Sequence, residues 1–190
     1  MKALFAVLAL ILLHSFARAD DRPKKDRAWA EKSAKHRRDV PTAGRRPAKL
    51  VNLYNTWTHE WIALEPTAKV PTEVTNRFLR DHYTSASIAM EPKLLGFVLA
   101  AATHFRSDTA MIVSGFRHPK FNLILRKKGH QVARDSHHTK GDAVDFYIPK
   151  VTTQALHAWA KDQKAGGLGL YLDSGFIHMD TGPIRFWSGE

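Results

Sequence analysis

The chain has 190 residues, no cysteine and a formal net charge of +11, with a pI near 10.0. That length suits one domain with a substantial core, and the lack of cysteine excludes disulfides and thiol catalysis. So positive a chain implies an anionic partner, and the absence of zinc-finger spacing, a heptad-bearing basic helix or an RNA-binding aromatic motif sets nucleic acid behind a membrane surface or an acidic polymer such as a cell wall.

Lys2 precedes the apolar run Ala3 to Leu13, and Ala17-Arg18-Ala19 supplies small residues before Asp20. The run is too short to span a bilayer, so residues 1–19 read as a cleaved secretory signal, with a retained anchor as the competing reading. Residues 20–49 hold eleven Lys and Arg against five Asp and Glu, with Pro23, Pro41, Gly44 and Pro47 and few large apolar side chains. This composition reads as a flexible basic arm that can associate electrostatically with an anionic wall or membrane, or serve only as a solvated linker.

The folded part is expected over residues 50–190. Leu50 to Tyr54 and Trp61 to Leu64 read as strands of a hairpin closed through Thr56–Glu60. Pro71 and Thr72 open a helix carrying Val74, Phe78 and Leu79, and Pro92 is placed as a first-turn proline for the next. In that second helix Leu94, Leu95, Val98, Ala101, Ala102 and Phe105 recur at helical spacing and should face the core. Met111-Ile112-Val113 reads as a short buried strand entering the polar turn Ser114–Pro119, and Phe121 to Lys128 as a helix stopped by Gly129. Thr152 or Thr153 caps a helix through Leu156 and Trp159, broken by Gly166-Gly167. Leu168–Leu172 and Gly175–Asp180 form a last hairpin, with Ile184–Trp187 as a candidate third strand. The sum is a single α+β domain.

Between these elements, Ser136-His137-His138-Thr139-Lys140-Gly141-Asp142-Ala143-Val144-Asp145 separates His138 and Asp145 by seven positions. A helix would place them on one face. Gly141 and the β-rich tail Phe146-Tyr147-Ile148 favour instead a loop carrying His138 that enters a strand carrying Asp145. In Phe176-Ile177-His178-Met179-Asp180, strand alternation points His178 and Asp180 to one side. Two His and one Asp are three ligands of the kind zinc accepts, with a fourth position left for water. A turn contact or a surface ion pair is the plainer reading of any one such pair.

The pattern Ser136-x-His138-x-x-Gly141-x-Ala143-x-Asp145 resembles the zinc peptidases that group D-Ala-D-Ala carboxypeptidases and dipeptidases with lysostaphin-type enzymes and the hedgehog fold. It is most similar to the YcbK/MepK-type branch, the periplasmic murein endopeptidases. Ser114-Gly115-Phe116-Arg117 with Asn122, Gly166 to Tyr171, Phe176 to Asp180 and Arg185-Phe186-Trp187 carry the likeness in the same order. The resemblance implies a central antiparallel sheet flanked by helices, zinc on His138, Asp145 and His178, and peptidoglycan stem peptide as substrate.

Its spacing selects His138 over the adjacent His137, which is left near the site with Ser136 as a candidate substrate contact. Carboxypeptidases of the wider group carry an acid three positions before the last ligand, where this chain has Gly175. The base is therefore unassigned by resemblance: Asp180, close to the metal on its strand, is the candidate base or orienting carboxylate, and Asp173 in the preceding turn is the alternative. Arg117, on the polar turn, is the candidate for substrate binding and charge stabilisation. The expectation is an exported zinc endopeptidase cutting wall cross-links, and the resemblance further suggests those between diaminopimelate residues. The alternatives are a non-catalytic zinc module binding wall peptides or a protein partner, and a D,D-carboxypeptidase or dipeptidase.

Overall fold

The computed structural model describes residues 49–130 and 132–189. The stretch read as a secretory signal, residues 1–19, and the stretch read as a basic arm, up to residue 48, lie outside the described residues. The described chain runs β1 (Val51–Asn55), β2 (Trp61–Leu64), α1 (Thr72–Phe78), α2 (Lys93–His104), β3 (Thr109–Ser114), α3 (Pro119–Lys127), a 3-10 turn (His137–Thr139), β4 (Ala143–Tyr147), α4 (Thr153–Asp162), β5 (Gly167–Tyr171), β6 (Phe176–Asp180) and β7 (Arg185–Gly189). The expected α+β domain is present, and none of its described helices is long and apolar enough to cross a membrane.

One seven-stranded sheet has the order β2-β1-β3-β4-β6-β5-β7. Its centre, β3-β4-β6-β5, is antiparallel throughout. On one flank β1 lies parallel to β3 and carries β2 antiparallel; on the other, β7 lies parallel to β5. The sheet is therefore mixed, with the expected antiparallel part at its middle. A parallel pair needs a long crossover, and the segment holding α1 and α2 supplies it between β1 and β3.

Strand alternation divides the sheet into two unlike faces. Val51, Leu53, Ala110, Ile112, Val144, Phe146, Leu168, Ile177 and Met179 point to one side, where Leu94, Leu95, Val98 and Leu99 of α2 and Leu156 and Ala160 of α4 complete the main core. Each fully buried Leu or Ile there contributes roughly 1.5–3 kcal/mol. Met111, Val113 and Tyr147 form a smaller cluster on the other face with Tyr54 and Phe176. That second face also receives the alternate residues Asp145, His178 and Asp180.

Two glycines of β5 make room on this second face. A Cβ at Gly169 would stand 2.7 Å from the Trp187 indole, and one at Gly167 would stand 2.5 Å from the Asp180 carboxylate and collide with Arg185. The bare strand thus lets Arg185 and Trp187 of the neighbouring β7 fold back over the sheet. Trp187 Nε1 donates to the Tyr171 hydroxyl at 3.1 Å, and Tyr171 stacks on Phe176 with centroids 4.8 Å apart.

Gly169→Ala should therefore displace the Trp187 ring and cost about 1–3 kcal/mol. Urea unfolding followed by tryptophan fluorescence tests this; an unchanged midpoint and emission spectrum would mean that the close approach does not matter.

Candidate metal centre

His138, Asp145 and His178 come from three separate elements and meet on the second face. Asp145 and His178 are cross-strand partners in the β4–β6 register. His138 arrives from the 3-10 turn, which reaches β4 through Gly141. That residue has φ +82, in the left-handed region that favours glycine. Its carbonyl accepts from Glu91 N at 2.9 Å, and a Cβ on it would sit 2.6 Å from the Ala89 carbonyl. The segment before α2 therefore braces the turn that aims His138.

The three donor atoms converge. His138 Nε2 lies 3.1 Å from both Asp145 Oδ1 and His178 Nδ1, and His178 Nδ1 lies 2.8 Å from Asp145 Oδ1. These separations are slightly under the ~3.3 Å edge of a tetrahedron with zinc–nitrogen bonds of about 2.0–2.1 Å. Tautomers also fit a metal. His138 Nδ1–H donates to the Gly115 carbonyl at 2.7 Å, leaving the Nε2 lone pair facing inward. His178 Nε2–H donates to Asp180 Oδ2 at 3.0 Å, leaving Nδ1 as the inward atom. A histidine whose outer nitrogen is held by a carboxylate or carbonyl is the usual surrounding of a metal ligand.

The adjacent His137 faces elsewhere, its Nδ1 pairing with Asp142 Oδ2 at 2.8 Å. Ser136 is buried at the start of the turn, where its carbonyl accepts both the backbone N–H and the hydroxyl of Thr139. His118 caps α3, accepting from Lys120 N at 3.2 Å. Asp173 lies in the exposed turn between β5 and β6.

Asp180 is fully buried and both its oxygens are engaged. Besides His178, it receives Arg185 through Nη1 at 3.1 Å and Nη2 at 2.7 Å, and the backbone N–H groups of Gly167 and Gly182. Burial alone would raise its carboxyl; the bonds from His178, Arg185 and Gly182 outweigh this and hold it well below the usual carboxylate range. Asp145 behaves alike: burial opposes its ionisation, but His138 beside it and the hydrogen bond from the His178 ring keep it ionised far into acid. Burial lowers His138. For His178 burial also acts downward, but bonds to Asp145 and Asp180 prevail and push it up to about 8.

Arg117 completes the group. Its backbone N–H donates to the His138 carbonyl at 3.0 Å, and Nη2 stands 3.7 Å from Asp145 Oδ2. Ser114 Oγ and Asn122 Oδ1 flank the guanidinium at 3.4 Å each. The loop carrying it can approach α1 because residue 115 is glycine: a Cβ there would meet the Leu79 carbonyl at 2.5 Å, and Phe116 N donates to that same carbonyl at 2.7 Å. Burial lowers the Arg117 pKa against the opposing charge of Asp145.

Sequence reasoning gave no task to Arg185, Trp187 or Tyr171, although all three lie in stretches it singled out. The Trp187 ring stands 5.2 Å from that of His178. The only local signal was a Gly-x-Gly strand followed by an alternating Arg-x-Trp strand. Only their parallel register, Gly167 opposite Arg185 and Gly169 opposite Trp187, gives that signal meaning.

Fold and site together define an α+β domain with a three-donor group that could hold a metal on one sheet face. A family described as peptidoglycan L,D-endopeptidase MepK matches residues 43–187, and the chain belongs to it. The probable peptidoglycan L,D-endopeptidase MepK of Haemophilus influenzae is 34% identical over 113 residues, covering 58% of this chain and 61% of that protein. The peptidoglycan L,D-endopeptidase MepK of Escherichia coli K12 is 36% identical over 114 residues, covering 59% of this chain and 62% of that protein. The matched stretch thus spans less than two thirds of either relative. No solved structure matches.

A metal must compete with protons here. With its ordinary value raised to about 8, His178 carries a proton on Nδ1 at neutral pH, and that proton must leave before the atom can coordinate. Metal affinity should accordingly fall as pH drops below about 8, by up to about tenfold per pH unit. Calorimetric zinc titration in buffers of different ionisation heat should show about one proton released per ion near pH 7. Binding without proton release would contradict the assignment of His178.

Proposed function

We propose that this protein is an exported, zinc-dependent peptidoglycan endopeptidase that hydrolyses peptide cross-links between stem peptides. The observation that carries the reading is the convergence of His138 Nε2, His178 Nδ1 and Asp145 Oδ1 in a chain of the MepK family. The name shared by the relatives supports an L,D bond, as in a link between two diaminopimelate residues. The sequence supports export, with residues 1–19 as signal, 20–49 as basic arm and 50–190 as catalytic domain.

Zinc bound to these three side chains would supply Lewis acidity and make water a competent nucleophile near neutral pH. The chain's own groups do the rest. Gly115 holds His138 in the tautomer that presents Nε2. Asp180, clamped by Arg185, fixes the ring of His178. Of the two roles expected of Asp180, geometry favours this positioning role: its oxygens are buried and saturated on the Nε2 side of the ring, away from the converging donors. Arg117, largely buried beside Asp145, would supply positive charge to an amide oxygen that gains negative charge. His137, tied to Asp142, and the buried Ser136 shape the turn that carries His138.

A carboxypeptidase reading is disfavoured by position 175. It is a glycine in the turn before β6, so the acid that such enzymes carry three positions before the last ligand is missing here.

The decisive experiment incubates the purified protein with muropeptide dimers of defined cross-link, with chelator, without it, and after zinc is restored. L,D-linked dimers should fall to monomers only with zinc, and His138→Ala should abolish the reaction. A zinc-loaded wild type that leaves every dimer intact would sink the proposal and favour a wall-binding module. Asp180→Ala separates the two roles of that residue. Positioning predicts zinc affinity weakened about 10–100-fold with turnover largely restored at saturating zinc. A general base predicts turnover lost at full zinc occupancy.

A further inference from the structure

Residues 50–190 contain sixteen Lys and Arg against thirteen Asp and Glu. Six of those cations and none of the acids fall within residues 117–134, which leaves ten cations against thirteen acids elsewhere in the same range. The positive charge of the domain is thus concentrated in one segment, centred on α3, while the remainder is acidic.

This segment is anchored on its inner side and open on its outer side. Phe121 and Asn122 are buried, whereas Lys120, Leu123, Arg126, Lys127 and Lys128 are exposed. Asn122 joins the face to the metal centre, with Oδ1 toward Arg117 at 3.4 Å and Nδ2 donating to the Ala133 carbonyl at 3.1 Å. Tyr83 lies flat on Phe121, centroids 5.1 Å apart and planes 12° apart, and is itself 52% exposed. No ion pair engages Lys120, Arg126, Lys127 or Lys128 among the described residues.

We propose that α3 and its ends, from Arg117 to Lys128, form a docking face for acidic peptide: the carboxylate-bearing stem peptides of the wall polymer that flank the bond to be cut. The proposal rests on the wall-peptide reading above and extends it from the reacting bond to its surroundings. Two features select this occupant. The face begins at Arg117, so a chain of carboxylates lying along α3 leads to the metal centre. Its exposed apolar part is Leu123 with the Tyr83 ring, whereas a helix that settles into lipid shows a broad apolar face. Several weak charge contacts along one polymer act together and lengthen residence without any single strong site.

The test compares the purified exported chain with a K120E/R126E/K127E/K128E variant and with a K69E/K93E/K150E/K164E control carrying the same charge change elsewhere. Circular dichroism and zinc content establish that each is folded. Sedimentation with insoluble peptidoglycan sacculi measures binding at increasing salt. The α3 variant should bind about tenfold more weakly near 0.05 M salt, with the difference fading above about 0.5 M as screening shortens to a few ångströms. The control variant should bind as wild type does, and sacculi with amidated carboxyls should bind wild type poorly. Equal losses in both variants, or an α3 variant that sediments like wild type, would overturn the docking face. So would a loss confined to phosphatidylglycerol vesicles, which would assign the face to a membrane. Dimer cleavage by wild type is scored separately, so a failed docking face and a failed endopeptidase reading are distinguishable.

Discussion

Burial of the Asp145 carboxylate is the constraint on which the second face of the sheet depends. An ionised carboxylate in the interior is tolerated only when surrounded by hydrogen-bond donors and opposite charge. Here the partners come from three directions: His138 from the 3-10 turn, His178 from β6 and Arg117 from the loop after β3. None of these elements is held by the other two alone. Gly115 must be small for the Arg117 loop to lie on α1, and Gly141 must adopt positive φ for the turn to aim His138. A second buried carboxylate, Asp180, repeats the pattern one step outward, with Arg185 and two backbone N–H groups as its partners.

The two carboxylates are linked through one ring. His178 stands between Asp145 and Asp180 with a nitrogen facing each, and so its position is fixed in both directions. This gives β7 a part in the site although it contributes no donor: its Arg185 sets Asp180, Asp180 sets the ring, and Trp187 stands beside it. An edge strand otherwise valued only for closing the sheet becomes a support of the reacting group. The bare glycines of β5 are the condition for this, because any side chain at 167 or 169 would occupy the path of β7 to the site.

Local pattern carried most of the fold. The helix of Leu94 to Phe105, the hairpin of β5 and β6, and the Thr152 cap are statements about neighbours in sequence, where period and capping are decisive. His138, Asp145 and His178 were legible for the same reason, as a loop-to-strand motif and an alternating strand. What local pattern could not convey was register between distant strands. That β1 runs parallel to β3, that β7 runs parallel to β5, and that Arg185 therefore meets Asp180 depend on pairings set by the whole core. The role of Asp180 is the clearest instance. Its spacing from His178 is equally compatible with proton transfer and with positioning, and only the four groups around its oxygens favour positioning.

The charge count of the centre shows what exchange of its proton for a divalent ion would do. Asp145 and Asp180 are ionised, Arg117 and Arg185 oppose them, and protonated His178 adds a single positive charge. Exchange of that proton for a doubly charged ion neutralises the imidazole yet raises the total by one. The added charge lies where His138, Asp145 and His178 converge, beside the guanidinium of Arg117. In a largely buried site such an excess is weakly screened. On the proposed reading it would favour a substrate whose oxygen becomes more negative as it reacts, and an acidic wall peptide would bring that oxygen with further negative charge around it. On that reading the electrostatics of the centre and those of α3 suit the same kind of partner, one through a metal held at buried donors and the other through exposed lysine and arginine.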